Sequence, residues 1–253
     1  MSYFAANLPR QKHCFFGAEG GVSEGVYSSL NVNFSSDDKL ENLQRNLDIA
    51  AGYYGLPRER LHIINQDVSN VVTYVSEPSF KQIESDGAVT DRPGVVLCIR
   101  TADCAPVLLA DYEHGIIGAA HAGWRGAYKG VIENCVELME QKGAVREKIA
   151  AAVGPCIGQP SYEVDKGFYQ KFGEKYRNFE AYFKPGKPGH YYFDLEGFCR
   201  SRLEAAGVRN VTVSGLDTCA LEGKYFSFRR NTLRGLIKGG PKNFPTEIST
   251  IIL

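Results

Sequence analysis

Short apolar runs separated by polar turns dominate the middle of the chain and predict buried strands. The clearest runs are VVLCI (95–99), PVLLA (106–110), IIGAA (116–120), the segment 149–153 and the C-terminal ISTIIL (248–253). Continuous apolar runs of about four to eight residues are typical of strands covered on both faces. Further extended segments are predicted at 208–213, at 61–74 as a strand pair or one long strand, and at 15–33 as a strand, a Gly-Gly turn and a second extended stretch.

Apolar residues at helical spacing predict three helices. The first is expected to begin at a cap in Ser36-Asp37-Asp38 and to carry Leu40, Leu43, Leu47, Ala50 and Ala51 on one face. The second spans 127–143 and carries Val131, Cys135 and Leu138 on one face. The third is capped by Asp194, carries Leu195, Phe198 and Leu203, and ends at Gly207. No repeat or charge block divides the chain. The pattern therefore predicts a mixed α/β or α+β fold in a single domain over residues 1–253.

Composition excludes several classes of protein. Among 253 residues there are 29 Lys and Arg against 29 Asp and Glu, a net charge of zero, which predicts no contact with nucleic acid or an anionic membrane surface. No apolar run approaches the ~20 residues that span a bilayer, and the N-terminus lacks the apolar core of a secretory signal. The seven cysteines form no CxxC motif, which favours free thiols and a cytoplasmic protein.

Histidine is scarce. The five histidines are His13, His62, His114, His121 and His190, and none of them forms a His-x-His pair. A multicopper site needs many imidazole ligands. The sequence therefore argues against a self-contained multicopper oxidase.

The polar residues most concentrated beside apolar runs are TADC (101–104) and HAGWRG (121–126). The thiol of Cys104 and the imidazole of His121, if brought together, could bind zinc or act as nucleophile and base. Taken singly, each is more typical of a packed thiol and of a hydrogen-bonded histidine. Arg125, with glycines nearby, offers bidentate donors to an anion; the alternative is a surface guanidinium stacked on Trp124.

A second polar segment, YFSFRR (225–230), combines aromatic rings with two guanidinium groups. Such a segment could stack a planar ring and hold an anion. The simpler interpretation is an amphipathic strand whose arginines are solvated.

Five motifs occur in order along the chain: GGVSEGVYSSLN, TADCAPVLLAD, AAHAGWRG, AAVGPCIG with SYEV, and FSFRR. Together they resemble the laccase-domain family, also called the YfiH or PgeF type, whose members carry the names polyphenol oxidase and purine nucleoside phosphorylase. The resemblance runs from about residue 15 to the C-terminus. It implies a single mixed α/β domain and one zinc ion held by His, Cys and His.

The resemblance also implies an activity. Members phosphorolyse adenosine, inosine, guanosine or methylthioadenosine, some also deaminate adenosine, and bacterial members are linked to the editing of peptidoglycan precursors. The implied partners are thus a purine nucleoside and phosphate.

The zinc ligands of the family carry over only in part. The second and third fall on Cys104 and His121, whereas Val68 stands where the family has its first histidine, in QDVS instead of Gln-Val-His. His62 is six residues away, about 20 Å along a strand, and Asp67 on a strand would point to the opposite face. We therefore expect weaker zinc binding than at the complete family site.

Two further departures concern anion binding. The family's Thr-Arg before its Gly-Gly is replaced by Gly17-Ala18-Glu19, and its C-terminal Gly-Arg by Pro245-Thr246, after an insertion-like stretch at 239–243. Phosphate binding depends on such preorganised cationic donors.

The leading hypothesis is a purine nucleoside phosphorylase. The residues assigned to it are Cys104, His121 and Arg125 as catalytic groups, Arg125 and Arg229 as anion contacts, Asn31 and Ser227 as polar positioning groups, and Phe226 as a stacking surface. Two alternatives stay open. One is a Cys104-dependent hydrolase of muropeptide-like substrates with His121 as base, and the other is a non-catalytic relative that keeps a nucleoside-binding cleft.

Overall fold

Two stacked β-sheets form the centre of the protein. The computed structural model describes residues 2–78, 84–237 and 242–253. In chain order the strands are β1 (His13–Phe15), β2 (Leu61–Ile63), β3 (Val72–Tyr74), β4 (Gly87–Thr90), β5 (Val96–Thr101), β6 (Ala105–Asp111), β7 (Ile116–Ala122), β8 (Ala150–Val153), β9 (Glu163–Asp165), β10 (Phe183–Pro185), β11 (His190–Phe193), β12 (Asn210–Val213) and β13 (Glu247–Ile252). The described residues form a four-stranded sheet in the order β1-β13-β5-β2, a six-stranded sheet in the order β12-β8-β6-β7-β4-β3, and a small sheet in the order β10-β11-β9.

Helices pack around the three sheets. They are α1 (Leu40–Gly52), α2 (Trp124–Lys129), α3 (Val131–Gln141), α4 (Lys166–Gly173), α5 (Leu195–Ala205) and α6 (Phe228–Leu233). The described part of the chain contains no helix with the length and apolarity needed to cross a membrane. This arrangement is a mixed α/β fold in a single domain, as the sequence predicts.

Burial on both faces explains the continuous apolar runs. Along β5, Leu97 and Ile99 pack into the core between the two sheets, whereas the alternating Val96 and Cys98 pack beneath α1. Strand β6 alternates in the same way between the inter-sheet core and the layer of α3 and α5. Each central strand therefore lacks a solvent face, and the predicted strands at 95–99, 106–110, 116–120 and 248–253 are confirmed.

Several local predictions are wrong. The segment 61–74 contains two strands, but they do not pair with each other, because β2 pairs with β5 and β3 pairs with β4 in different sheets. The stretch after Gly21 forms a 3-10 turn at Gly25–Tyr27 and no second strand. Leu40 is exposed, so it does not share the buried face of α1. Residues 239–241 of the insertion-like stretch lie outside the described residues.

The predicted helix over 127–143 is two helices. Gly130 has φ +104°, in the left-handed region that glycine adopts at little cost, and it separates α2 from α3. The third predicted helix is confirmed, since the carboxylate of Asp194 accepts from the N–H of Gly197 and caps α5.

The small sheet and α4 enclose an aromatic cluster that the sequence pattern does not predict. Phe172 is fully buried at its centre, with ring centroids of Phe168, Phe193 and Phe198 within 5.1 Å. Trp124 at the start of α2 joins this cluster through Phe168, at 4.7 Å. The cluster therefore supports one wall of the region described next.

Candidate functional site

Cys104 and His121 meet at one end of the β6–β7 hairpin. The register pairs Ala105 with Ala122 and Pro106 with His121, so Cys104 and Gly123 lie opposite each other just beyond the paired residues. A Cβ built on Gly123 would lie 2.9 Å from Cys104 Sγ and 3.7 Å from His121 Nε2. Glycine at this position leaves the space in which the sulfur and the imidazole approach each other.

Asp86 is the third member of this group, and sequence reasoning missed it. It directly precedes β4, which pairs with β7 so that Gly87 lies opposite Ala120. The fully buried carboxylate accepts a hydrogen bond from His121 Nδ1 at 2.7 Å. This contact turns His121 Nε2 toward Cys104. The available signal was an acidic residue immediately before an apolar strand.

The charges of this group favour an ion pair. Burial alone would disfavour a charged imidazole, but the neighbouring Cys104 and the Asp86 carboxylate raise the pKa of His121 to about 9. Burial also opposes ionisation of Asp86, yet hydrogen bonds from His121 and Ser69 lower its pKa. The surroundings of the pair therefore favour a protonated imidazole at His121 beside an ionised carboxylate at Asp86.

Val68 lies beside this group, in a loop and not in the strand that the sequence analysis assumed. Its N–H donates to Asp86 Oδ1 at 3.1 Å, and the N–H of Asp67 donates to Asp86 Oδ2 at 3.3 Å. Asp67 itself is exposed. The loop therefore contributes backbone donors to Asp86, and residue 68 contributes no metal-ligating atom from its side chain.

The residues present do not fit a three-ligand zinc site. Catalytic zinc normally has three protein ligands. Cys104 and His121 could supply two, and Val68, which the family resemblance puts at the position of the remaining histidine, has no ligating atom in its side chain. His62 is a buried residue of β2, paired with Leu97 in the other sheet. Across the described ranges, no group of three or more His, Cys, Asp or Glu side chains is arranged to hold a metal ion.

Asp103 directly precedes Cys104, and three hydrogen bonds hold its side chain in place. It has φ +81°, and its buried carboxylate accepts hydrogen bonds from Thr218 Oγ1, Ser227 Oγ and the N–H of Arg229, at 2.7 to 2.9 Å. Ser227 also caps α6 by accepting from the N–H of Arg230. Burial raises the pKa of Asp103. Ser227 is thus close to the site, where it organises backbone.

Arg229 and Tyr162 form a wall next to Cys104. The Arg229 guanidinium lies 5.4 Å from the Tyr162 ring centroid and donates from Nη1 to the carbonyl oxygen of Glu163 at 2.9 Å. Burial and the neighbouring Cys104 raise the pKa of Tyr162, which keeps its phenol neutral. Tyr162, in the SYEV motif, therefore offers a partly exposed aromatic surface that the site prediction omitted.

Arg125 is exposed and lies at the edge of the site. Its guanidinium carbon is 4.6 Å from the Trp124 ring centroid, which is the stacked arrangement weighed as the alternative to anion binding. An exposed stacked guanidinium keeps its N–H donors directed to solvent, so stacking does not prevent contact with an anion.

Asn31 and Phe226 are committed to packing. Asn31 Nδ2 donates to Ser36 and Asp38, while its Oδ1 accepts from the N–H groups of Asn33 and Thr246. These four bonds use the full capacity of an amide side chain. Phe226 is 5% exposed and packs with Ala18, Ala102 and Phe244. A substrate contact by either residue would require this packing to open.

Comparison with known proteins gives relatives along most of the chain. A purine nucleoside phosphorylase of Deinococcus radiodurans is 39% identical over 224 residues, covering 87% of this chain and 83% of that protein. A purine nucleoside phosphorylase of Bacteroides thetaiotaomicron is 32% identical over 225 residues, covering 84% of this chain and 83% of that protein. These relatives are enzymes by name.

Solved structures share the same fold. The Bacillus licheniformis hypothetical protein YfiH superposes with a TM-score of 0.87 at 27% identity, covering 95% of this chain and 92% of that one. YlmD of Geobacillus stearothermophilus superposes with a TM-score of 0.85 at 28% identity, covering 95% of this chain and 90% of that one. The family model described as multi-copper polyphenol oxidoreductase laccase matches residues 12–238, and the chain belongs to that family.

Proposed function

We propose that this protein catalyses phosphorolysis of purine nucleosides at the end of the β6–β7 hairpin. The observation that supports the proposal is the meeting of Cys104, His121 and the Arg229–Tyr162 wall, in a chain 39% identical to a purine nucleoside phosphorylase of Deinococcus radiodurans. Phosphate attacks the anomeric carbon of the sugar as the purine leaves. The site must therefore hold an anion below the sugar and a planar base beside it.

The residues divide these tasks by their chemistry. The guanidinium groups of Arg125 and Arg229 supply donors for phosphate, and Tyr162 supplies a neutral ring against which a purine can stack. His121, positively charged and buried, is the acid that can donate a proton to the departing base. Asp86 keeps His121 charged and oriented.

Adenosine deamination is not part of the proposed activity. That reaction requires water to attack purine C6, and metal ions normally activate the water. The third ligand position is Val68 here, whereas phosphate is already a nucleophile.

The experiment is to measure base release from adenosine, inosine, guanosine and methylthioadenosine with and without phosphate. We expect release that depends on phosphate and falls at least ~10-fold in Arg125→Ala, on the scale of one lost charge-assisted contact. Arg45→Ala is the matched control, because Arg45 is an exposed arginine of α1 remote from the site. Equal release with and without phosphate contradicts phosphorolysis.

A second candidate function is Cys104-dependent hydrolysis, and the order Asp86–His121–Cys104 favours it. That order supplies a carboxylate that orients an imidazole beside a thiol, as in nucleophilic cysteine enzymes. The sulfur would attack an amide carbonyl, the imidazole would pass a proton to the leaving amine, and water would hydrolyse the thioester to restore the thiol. Muropeptide-like amides are the substrates that the family resemblance suggests.

Labelling by iodoacetamide at neutral pH separates this candidate from phosphorolysis. Cys104 and Cys219 are the two thiols that are not fully buried, so Cys219→Ser is the matched control for Cys104→Ser. Rapid labelling of Cys104 together with amide hydrolysis supports the hydrolase, and an unreactive Cys104 excludes it. Nucleoside binding without turnover in either assay would identify a non-catalytic relative.

A further inference from the structure

The backbone at Val68 is in a conformation that its side chain disfavours. Val68 has φ +58°, in the left-handed region, which is an outlier for a β-branched residue. The other described non-glycine residues with positive φ are Asp103 and Asn178, and both residue types tolerate this region well. The surroundings of Val68, and not its side chain, therefore impose its conformation.

Asp86 is the group that imposes it. Its carboxylate accepts the N–H groups of three successive residues, 67, 68 and 69, together with the hydroxyl of Ser69. On the other side, Lys129 Nζ donates to the carbonyl oxygen of Val68 at 3.0 Å. The loop is therefore held from both sides by contacts that do not involve the side chain of residue 68.

The same carboxylate places residue 68 next to the Cys104–His121 pair. Asp86 Oδ1 accepts both the N–H of Val68, at 3.1 Å, and Nδ1 of His121, at 2.7 Å. A carboxylate that orients a histidine in this way is typical of the surroundings of metal ligands. Histidine is also enriched several-fold among residues in the left-handed region. The loop thus presents residue 68 in a geometry that suits histidine better than valine.

We infer that residues 67–69 are a metal-ligand loop that has kept its backbone and lost its ligand. The native chain then binds a zinc-class divalent cation weakly, through Cys104 and His121 alone. The substitution Val68→His completes a site of one thiolate and two imidazoles, the ligand set that suits Zn²⁺ and its spectroscopic substitute Co²⁺. This inference does not depend on which reaction the protein catalyses.

The test is to titrate chelator-treated protein with Co²⁺ and record the visible d–d bands and the thiolate charge-transfer band. Loss of even an outer partner of a ligand weakens metal binding by about 10- to 100-fold, so we expect Val68→His to bind at least ~100-fold more tightly than the native chain. The charge-transfer band should disappear in Val68→His combined with Cys104→Ser. Val71→His is the matched control, because Val71 belongs to the same segment and is 47% exposed.

Two results would overturn the inference. One is a native chain that binds Co²⁺ or Zn²⁺ as tightly as Val68→His, and the other is a Val68→His variant that binds no better than Val71→His. If Val68→His does not fold, Val68→Asn tests whether valine strains the left-handed backbone at this position. Asparagine tolerates positive φ, so the urea midpoint of Val68→Asn should be higher than that of the native chain. A lower midpoint would mean that the valine side chain itself stabilises the loop, and it would overturn the inference.

Discussion

Replacement of Asp86 by alanine should destabilise the protein by about 3–5 kcal/mol, the cost of leaving one member of a buried ion pair without its partner. The carboxylate is fully buried and accepts hydrogen bonds from His121 Nδ1 and from the backbone of residues 67–69. The loop N–H groups are only partly buried and can turn to water, so His121 accounts for most of the loss. Urea unfolding followed by circular dichroism measures the free energy of unfolding.

A matched control is available in the same sheet. Asp111 is also fully buried and accepts from His114 Nδ1 at 2.7 Å, but the side chain of His114 is 36% exposed and can be solvated. Asp111 also accepts from the N–H groups of His114 and Val145, so we expect Asp111→Ala to cost about 1–3 kcal/mol, less than the loss of a buried ion pair. A loss below ~1 kcal/mol in Asp86→Ala, outside the range for breaking a buried pair, would refute the reasoning.

The pH dependence gives a second readout of the same pair. Folding lowers the pKa of Asp86 and raises that of His121 from 6.5 to about 9. The contribution of His121 is fully present below pH 6.5 and is lost as the pH rises through about 9. The stability difference between wild type and Asp86→Asn should therefore be larger at pH 6 than at pH 10. An unchanged difference would mean that no ion pair forms.

Three further predictions concern other residues. Gly123→Ala should cost ~1–3 kcal/mol by overpacking, since its Cβ would lie 2.9 Å from Cys104 Sγ, whereas Gly52→Ala, with open space around it, should be neutral or stabilising in thermal unfolding. Burial raises the pKa of Glu247 well above its ordinary value, so the wild type loses stability as the pH rises from 4 to 8, whereas Glu247→Gln does not. The urea midpoint of Glu247→Gln minus that of wild type should therefore be larger at pH 8 than at pH 4, and an equal difference at both pH values contradicts this. Phe172→Ala should cost ~3–5 kcal/mol, against less than ~0.5 kcal/mol for the exposed Phe34→Ala, both by urea unfolding.

The central strands could be predicted from the sequence because their burial on both faces leaves a local mark. An apolar run such as residues 106–110 predicts a buried strand whichever strand it pairs with. Asp194 was recognised as a cap because capping is settled within three residues. By contrast, the small sheet β9–β11 depends on aromatic packing from distant segments, and its strands are too short to show a period.

The candidate site was only half predictable for the same reason. Cys104 and His121 stand in recognisable motifs, and the antiparallel register of β6 and β7 brings them together. Asp86 is 35 residues from His121 and becomes its partner only through the pairing of β4 with β7. The left-handed backbone of Val68 follows from Asp86 in turn, so neither feature could be derived from local pattern.

The position of Cys104 has a consequence for following the folding of this protein. Residues 102–104 connect β5 of the four-stranded sheet to β6 of the six-stranded sheet, so the thiol lies where the chain passes from one sheet to the other. Its partners His121 and Asp86 belong to the six-stranded sheet, because β6, β7 and β4 are neighbours there. The rate at which Cys104 is alkylated in increasing denaturant therefore reports the opening of the six-stranded sheet at the point where the chain enters it from the other sheet.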